Sequence, residues 1–106
     1  MSKDYLSLGP TPAAESCAQV GAEDYHKQSK AEIAAYIGQL NRVFGDKMPP
    51  GCRFSGKAFP HDFGTYHEVV VWFDPDSEDE SNFAYSCENN MPQEWDAEAR
   101  KELGLS

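Results

Sequence analysis

Apolar residues recur at helical spacing between residues 29 and 45, where Ile33, Ile37, Leu40 and Phe44 fall at i, i+4, i+7 and i+11, with Tyr36 and Val43 widening the stripe. Ser29 with Glu32 three residues on reads as a capping box, and Gly45 stands where a C′ glycine belongs. The pattern predicts an amphipathic helix ending at Phe44. Met48-Pro49-Pro50-Gly51 then stops it, and the period changes to two. Phe54, Gly56 and Ala58 alternate with Arg53, Ser55 and Lys57, which predicts a strand over Cys52–Phe59 whose charged side suits a sheet edge. After a turn over Pro60–Gly64 comes the strongest strand, Tyr66–Phe73. His67, Val69, Val71 and Phe73 point one way and Tyr66, Glu68, Val70 and Trp72 the other. Both sides are largely apolar, the mark of a central strand or of a sheet covered on both faces.

Residues 82–88 fit two templates. Phe83, Tyr85 and Cys87 alternate as a strand does, closing a hairpin over the acidic loop 74–81. Ser77 with Glu80 at N3, followed by Phe83, Cys87 and Met91, fits a helix. The central strand's need for a partner favours the strand. Pro92 and the acids near it open a last helix, with Trp95, Ala99 and Leu103 on one side. Residues 1–16, which contain Gly9-Pro10-Thr11-Pro12, read as a flexible arm, and residues 17–106 as one α+β domain. The expected order is α-β-β-β-α, an antiparallel three-stranded sheet packed with helices. Helix 29–44 covers one face, so the C-terminal helix or a second subunit is expected to cover the other.

Composition and charge narrow the classes. A chain of 106 residues, 40% hydrophobic and 12% aromatic, forms one domain with a core of its own. The net charge is −9, and it is unevenly placed. Residues 1–73 hold eight acids and seven bases, whereas residues 74–106 hold ten acids against Arg100 and Lys101. That balance argues against direct nucleic-acid binding, which needs bases to displace counterions, and against an anionic membrane surface. No apolar run approaches the length of a membrane span, and Met1–Leu6 lacks the pattern of a signal peptide. Three dispersed cysteines, Cys17, Cys52 and Cys87, suit reduced thiols, so a cytoplasmic location is expected.

Three constellations bear on chemistry. His61, Asp62 and His67 are metal-competent residue types close in sequence, and Cys52 or Cys87 extends the set. No zinc-type spacing joins them, so a turn-stabilising role for His61 and Asp62 is the plainer reading, and no cofactor is expected. A cysteine activated by one of these histidines is the thiol variant, but each cysteine has apolar neighbours and no local base. The acidic third, with Asp74, Asp76, Glu78, Asp79, Glu80 and Asp96, is either a solubilising surface or a docking surface for a basic protein. Tyr66 and Trp72 are either core or an exposed patch, the latter burying itself in a partner or in a homodimer.

Cys17-Ala18-Gln19-Val20-Gly21, Phe59-Pro60-His61-Asp62-Phe63-Gly64-Thr65-Tyr66 and Pro92-Gln93-Glu94-Trp95-Asp96 resemble small uncharacterised proteins of bacterial phages, plasmids and integrative elements. The resemblance spans much of residues 17–103 and implies an accessory role in a bacterial cytoplasm, such as interference with host defence or regulation by protein binding. The functional expectation is a non-enzymatic, acidic protein-binding module whose basic partner is a nuclease, a restriction or CRISPR component, or a DNA-binding regulator. A small metal or thiol enzyme using His61, Asp62 and His67, and a structural homo-oligomer, are the alternatives.

Overall fold

The computed structural model describes residues 3–8, 22–61 and 64–105. The chain is a small α+β domain built on a three-stranded antiparallel sheet in the order β1-β3-β2. Its elements are β1 (Asp4–Ser7), α1 (Ala22–Phe44), β2 (Arg53–His61), β3 (Gly64–Phe73), α2 (Glu78–Asn89) and α3 (Ala97–Glu102). The strand pair read from the alternating pattern is present, and the register sets Arg53 opposite Trp72 and Lys57 opposite Glu68. β3 is central, and Val69, Val70 and Val71 are each wholly shielded from solvent.

The third strand comes from another part of the chain than expected. Asp4–Ser7, read as part of a flexible arm, pairs with Val70–Phe73, and the Leu8 N–H continues the ladder to the Val69 carbonyl at 2.8 Å. Residues 9–16 of that arm lie outside the described residues. With β1 already beside β3, residues 82–88 are free to be helical. They form α2, where Phe83, Ala84 and Cys87 turn inward together and Tyr85 turns out. That grouping is a helical face, and the apparent strand alternation is incidental.

α1 ends where its apolar stripe ends, but it starts at Ala22, so Ser29 lies inside it. Gly45 does not take a left-handed cap; the chain tightens into a 3₁₀ turn over Gly45–Lys47 instead. Val43 is solvent-facing, while Ile33, Tyr36, Leu40 and Phe44 face the sheet. They pack on Leu8, Phe54, Val69, Val71 and Phe73, together with Phe83 and Cys87 of α2. The rings of Phe44, Phe54 and Phe83 meet at centroid distances of 6.1 to 6.4 Å, which joins both helices to the same face of the sheet.

The last helix is shorter than its stripe suggested, and residues 90–96 are irregular. α1 holds them in place. The buried Gln39 amide donates to the Glu94 carbonyl at 2.9 Å and accepts from the Asp96 N–H at 3.1 Å, and the Tyr36 hydroxyl donates to the Pro92 carbonyl at 3.1 Å. Burial pushes the Tyr36 hydroxyl up to about 12, so it remains a donor. Trp95 packs edge-on against the Tyr36 ring at 5.6 Å.

The C-terminal helix packs against α1 and does not cover the far face of the sheet. Val70 faces away from the helix-covered core, and on its side the rings of Tyr5, Phe59 and Trp72 converge, with Tyr5 at 5.3 Å from Trp72 and 6.2 Å from Phe59. Among the described residues, this aromatic cluster is the second cover.

The close approach of α1 to the sheet gives a test. A Cβ at Gly56 would lie 2.9 Å from Ile33 Cγ2, whereas one at Gly45 would meet nothing within 4 Å. Gly56→Ala is expected to destabilise the domain by about 1–3 kcal/mol through overpacking. Thermal melts should show a fall of roughly 4–8 °C for each kcal/mol. Gly45→Ala should stay within about 0.5 kcal/mol of the parent.

Candidate functional site

The acidic stretch after β3 separates into carboxylates that build the fold and carboxylates that face outward. Asp74 opens a turn in which its carboxylate accepts from the Asp76 N–H at 2.9 Å. Ser77 caps α2, its hydroxyl accepting from the Glu80 N–H at 3.3 Å. Glu80 points back into the molecule, with only 16% of its side chain exposed. Its carboxylate accepts from the Asp74 N–H at 2.8 Å, from Lys3 Nζ at 3.3 Å and from the Cys52 thiol at 3.8 Å. Lys3 also donates to the Gly51 carbonyl at 2.7 Å. Glu80 therefore ties the start of β1, the turn before β2 and the first turn of α2 together. Gly51 is the residue that admits it, since a Cβ there would collide with the Glu80 carboxylate.

Asp96 is similarly engaged. Arg42 grips it bidentately, Nε to Oδ2 at 2.9 Å and Nη2 to Oδ1 at 2.7 Å, and Asp96 also caps α3 by accepting from the Ala99 N–H at 2.8 Å. The Arg42 hydrogen bonds hold its carboxyl below the ordinary 3.8. Glu80 and Asp96, both read from the sequence as docking acids, have their carboxylates engaged by other residues of the chain, Glu80 turned inward and Asp96 at the surface.

Asp76, Glu78 and Asp79 remain exposed, and Glu88 joins them. α2 carries no base in its last turn and none along its length. Helical spacing aligns Glu78, Asn82, Tyr85 and Asn89 on the outward side, with Asp79 and Glu88 flanking them. Tyr85 is 52% exposed at the middle of this stripe. Neither Tyr85 nor Glu88 stands out in the sequence, because their outward placement depends on this segment being a helix rather than a strand.

The sheet face opposite the helices has another character. Trp72 is half-buried, and its indole N–H donates to Ser55 Oγ at 2.7 Å. Arg53 lies over the Trp72 ring at 5.3 Å, and the Lys57 ammonium lies 5.0 Å from Tyr5, 5.7 Å from Phe59 and 5.9 Å from Trp72. Ser7 hydrogen-bonds the Glu68 carboxylate on the same face. Tyr66 pairs with Phe59 in the ladder, and its side chain lies outside the described residues. An aromatic and cationic surface is thus present on a strongly acidic chain. The alternation Arg53, Ser55, Lys57 was its sequence signal; the part played by Tyr5 was hidden by its distance along the chain.

Of the histidine set, only the His67 side chain falls among the described residues. Asp62 and the His61 side chain lie outside them, and His67 is half-buried in β3 opposite Ala58. Cys52 and Cys87 are buried. Burial pushes the Cys52 thiol up to about 11, helped by Glu80, and the Cys87 thiol up to about 12, helped by Cys52. Neither is poised as a thiolate. No group of three metal-ligating side chains occurs among the described residues, and no described helix is long and apolar enough to cross a membrane.

Two variants check the structural role of the engaged acids. Glu80→Ala strands the Asp74 N–H and should cost about 1–3 kcal/mol in denaturant unfolding. The stabilisation from Asp96 is complete above pH 3.8, its ordinary value, and disappears as pH falls through its lower folded value, so Asp96→Asn should flatten the acid limb of the stability curve.

No protein-family model, no curated protein and no solved structure matches the chain.

Proposed function

We propose that the protein is a non-enzymatic binding module that docks on a basic protein partner through the outward face of α2. The observation that carries this reading is Tyr85, exposed on a helix that has acids around it and no base. Acids in the first turn need no partner to explain them, because Glu78 and Asp79 complement the positive end of the helix dipole. Glu88 has no such local role. It lies in the last two turns, toward the negative end, where a carboxylate costs a few tenths of a kcal/mol and no base of α2 offsets it. An exposed tyrosine between such acids is an amphipathic anchor for a cation, offering a ring face to Lys or Arg and carboxylates to either side.

Docking of this kind gives fast, salt-sensitive association. A partner that ordinarily holds nucleic acid has the complementary surface. Together with the resemblance to mobile-element accessory proteins, this favours a host nuclease or DNA-binding regulator as the class to search.

The test is capture from a bacterial lysate, followed by titration of the purified partner at low and high salt. Wild type should bind a basic protein at low salt and release it as salt rises. Combined Glu78→Lys, Asp79→Lys and Glu88→Lys should weaken binding by more than roughly tenfold, and Tyr85→Ala by a similar factor. Glu80→Gln, whose carboxylate faces inward, should bind like wild type after correction for folded fraction. Equal affinity for the charge-reversed protein would overturn the proposal.

A further inference from the structure

β2 forms one edge of the sheet along its nine residues, and two observations show which of its backbone groups are unpaired. The Leu8 N–H donates to the Val69 carbonyl, so odd-numbered residues of β3 direct their backbone groups toward β1 and even-numbered residues toward β2. Arg53, Ser55, Lys57 and Phe59 stand opposite Trp72, Val70, Glu68 and Tyr66, so their N–H and C=O groups face β3. Phe54, Gly56 and Ala58 therefore direct theirs away from the sheet. Pro60 belongs to the same outward set, where its missing N–H removes nothing from the ladder. Gly56 and Ala58 are exposed, and no backbone partner for the outward groups of Phe54, Gly56 or Ala58 occurs among the described residues.

The side chains beside this edge decide what fits it. On the open face β2 presents Arg53 and Lys57, separated by Ser55, and then Phe59. Cations on an edge strand commonly prevent two sheets from joining, and a second copy of this chain pairing through β2 would bring its own Arg53 and Lys57 against the first pair. An extended segment with acids at alternate positions meets the opposite situation. Its backbone satisfies the outward groups while its carboxylates lie beside the two cations.

We propose that the free edge of β2 takes up an extended, acidic segment of a partner protein, adding a fourth strand through Phe54, Gly56 and Ala58 with Arg53 and Lys57 selecting its charge. This surface lies on β2, its preferred charge is opposite to that sought by α2, and it does not depend on the α2 reading.

The probe is a blocked peptide of about ten residues alternating Glu with Val and Thr, set against the same peptide with Lys for Glu. Amide-resolved NMR titration of the intact chain should show shifts along β2 and slowed exchange at Phe54, Gly56 and Ala58 with the Glu peptide only. Ala58→Pro removes one outward N–H without touching the ladder to β3, and should weaken binding by roughly tenfold or more. Arg53→Glu with Lys57→Glu, compared at equal folded fraction, should exchange the preference from the Glu to the Lys peptide. Equal response to both peptides, no added protection at the three amides, or a charge-reversed protein that still prefers the Glu peptide would each overturn the proposal.

Discussion

The burial of β3 on both sides is the constraint on which the rest of the structure depends. Val69, Val70 and Val71 are fully shielded, so successive residues of one strand require apolar neighbours above and below the sheet and a hydrogen-bonded strand on either side. β1 and β2 meet the lateral requirement, and α1 with α2 meets the vertical one on the face of Val69 and Val71. The face of Val70 is met by Tyr5, Phe59 and Trp72, with Lys57 and Arg53 laid across the rings. Each such cation–ring contact contributes about 0.5–1 kcal/mol at an exposed site. The long apolar stems of the cations also cover ring surface while their heads reach water.

This arrangement sorts the charge of the chain. Arg53 and Lys57 lie beside the sheet because the rings hold them there. Asp76, Glu78 and Asp79 lie exposed on the turn before α2 and in its first turn, because acids favour the N-terminal turn of a helix. Two acids escape the pattern by being put to structural use: Glu80 fastens the start of β1 to the turn before β2, and Asp96 joins Arg42 on α1 to the start of α3. A net charge of −9 thus describes neither surface well. The molecule has an acidic helical side with an exposed tyrosine and a cationic, aromatic sheet side.

Much of the fold was legible because periodicity is local. The alternation from Arg53 to Phe73 specified the β2–β3 hairpin, and the stripe ending at Phe44 specified the helix that covers it. β1 was not legible, since four residues carry little pattern and the partner of Tyr5 is Trp72, far along the chain. That omission propagated: with one strand unaccounted for, β3 seemed to need residues 82–88, although the cap at Ser77 and Glu80 was already visible. The site suffered for the same reason. Asp74, Asp76, Glu78, Asp79, Glu80 and Asp96 look alike in sequence, and only contacts with Lys3, Cys52 and Arg42 separate the fastened acids from the outward ones.

Amide hydrogen exchange of the free protein tests this account most directly. A doubly buried β3 beside an open β2 edge requires the amides of Val69, Val70 and Val71 to exchange only with global unfolding. It requires those of Gly56 and Ala58 to exchange orders of magnitude faster, though they belong to the neighbouring strand. Slow exchange at Gly56 and Ala58, or early exchange at Val70, would contradict it.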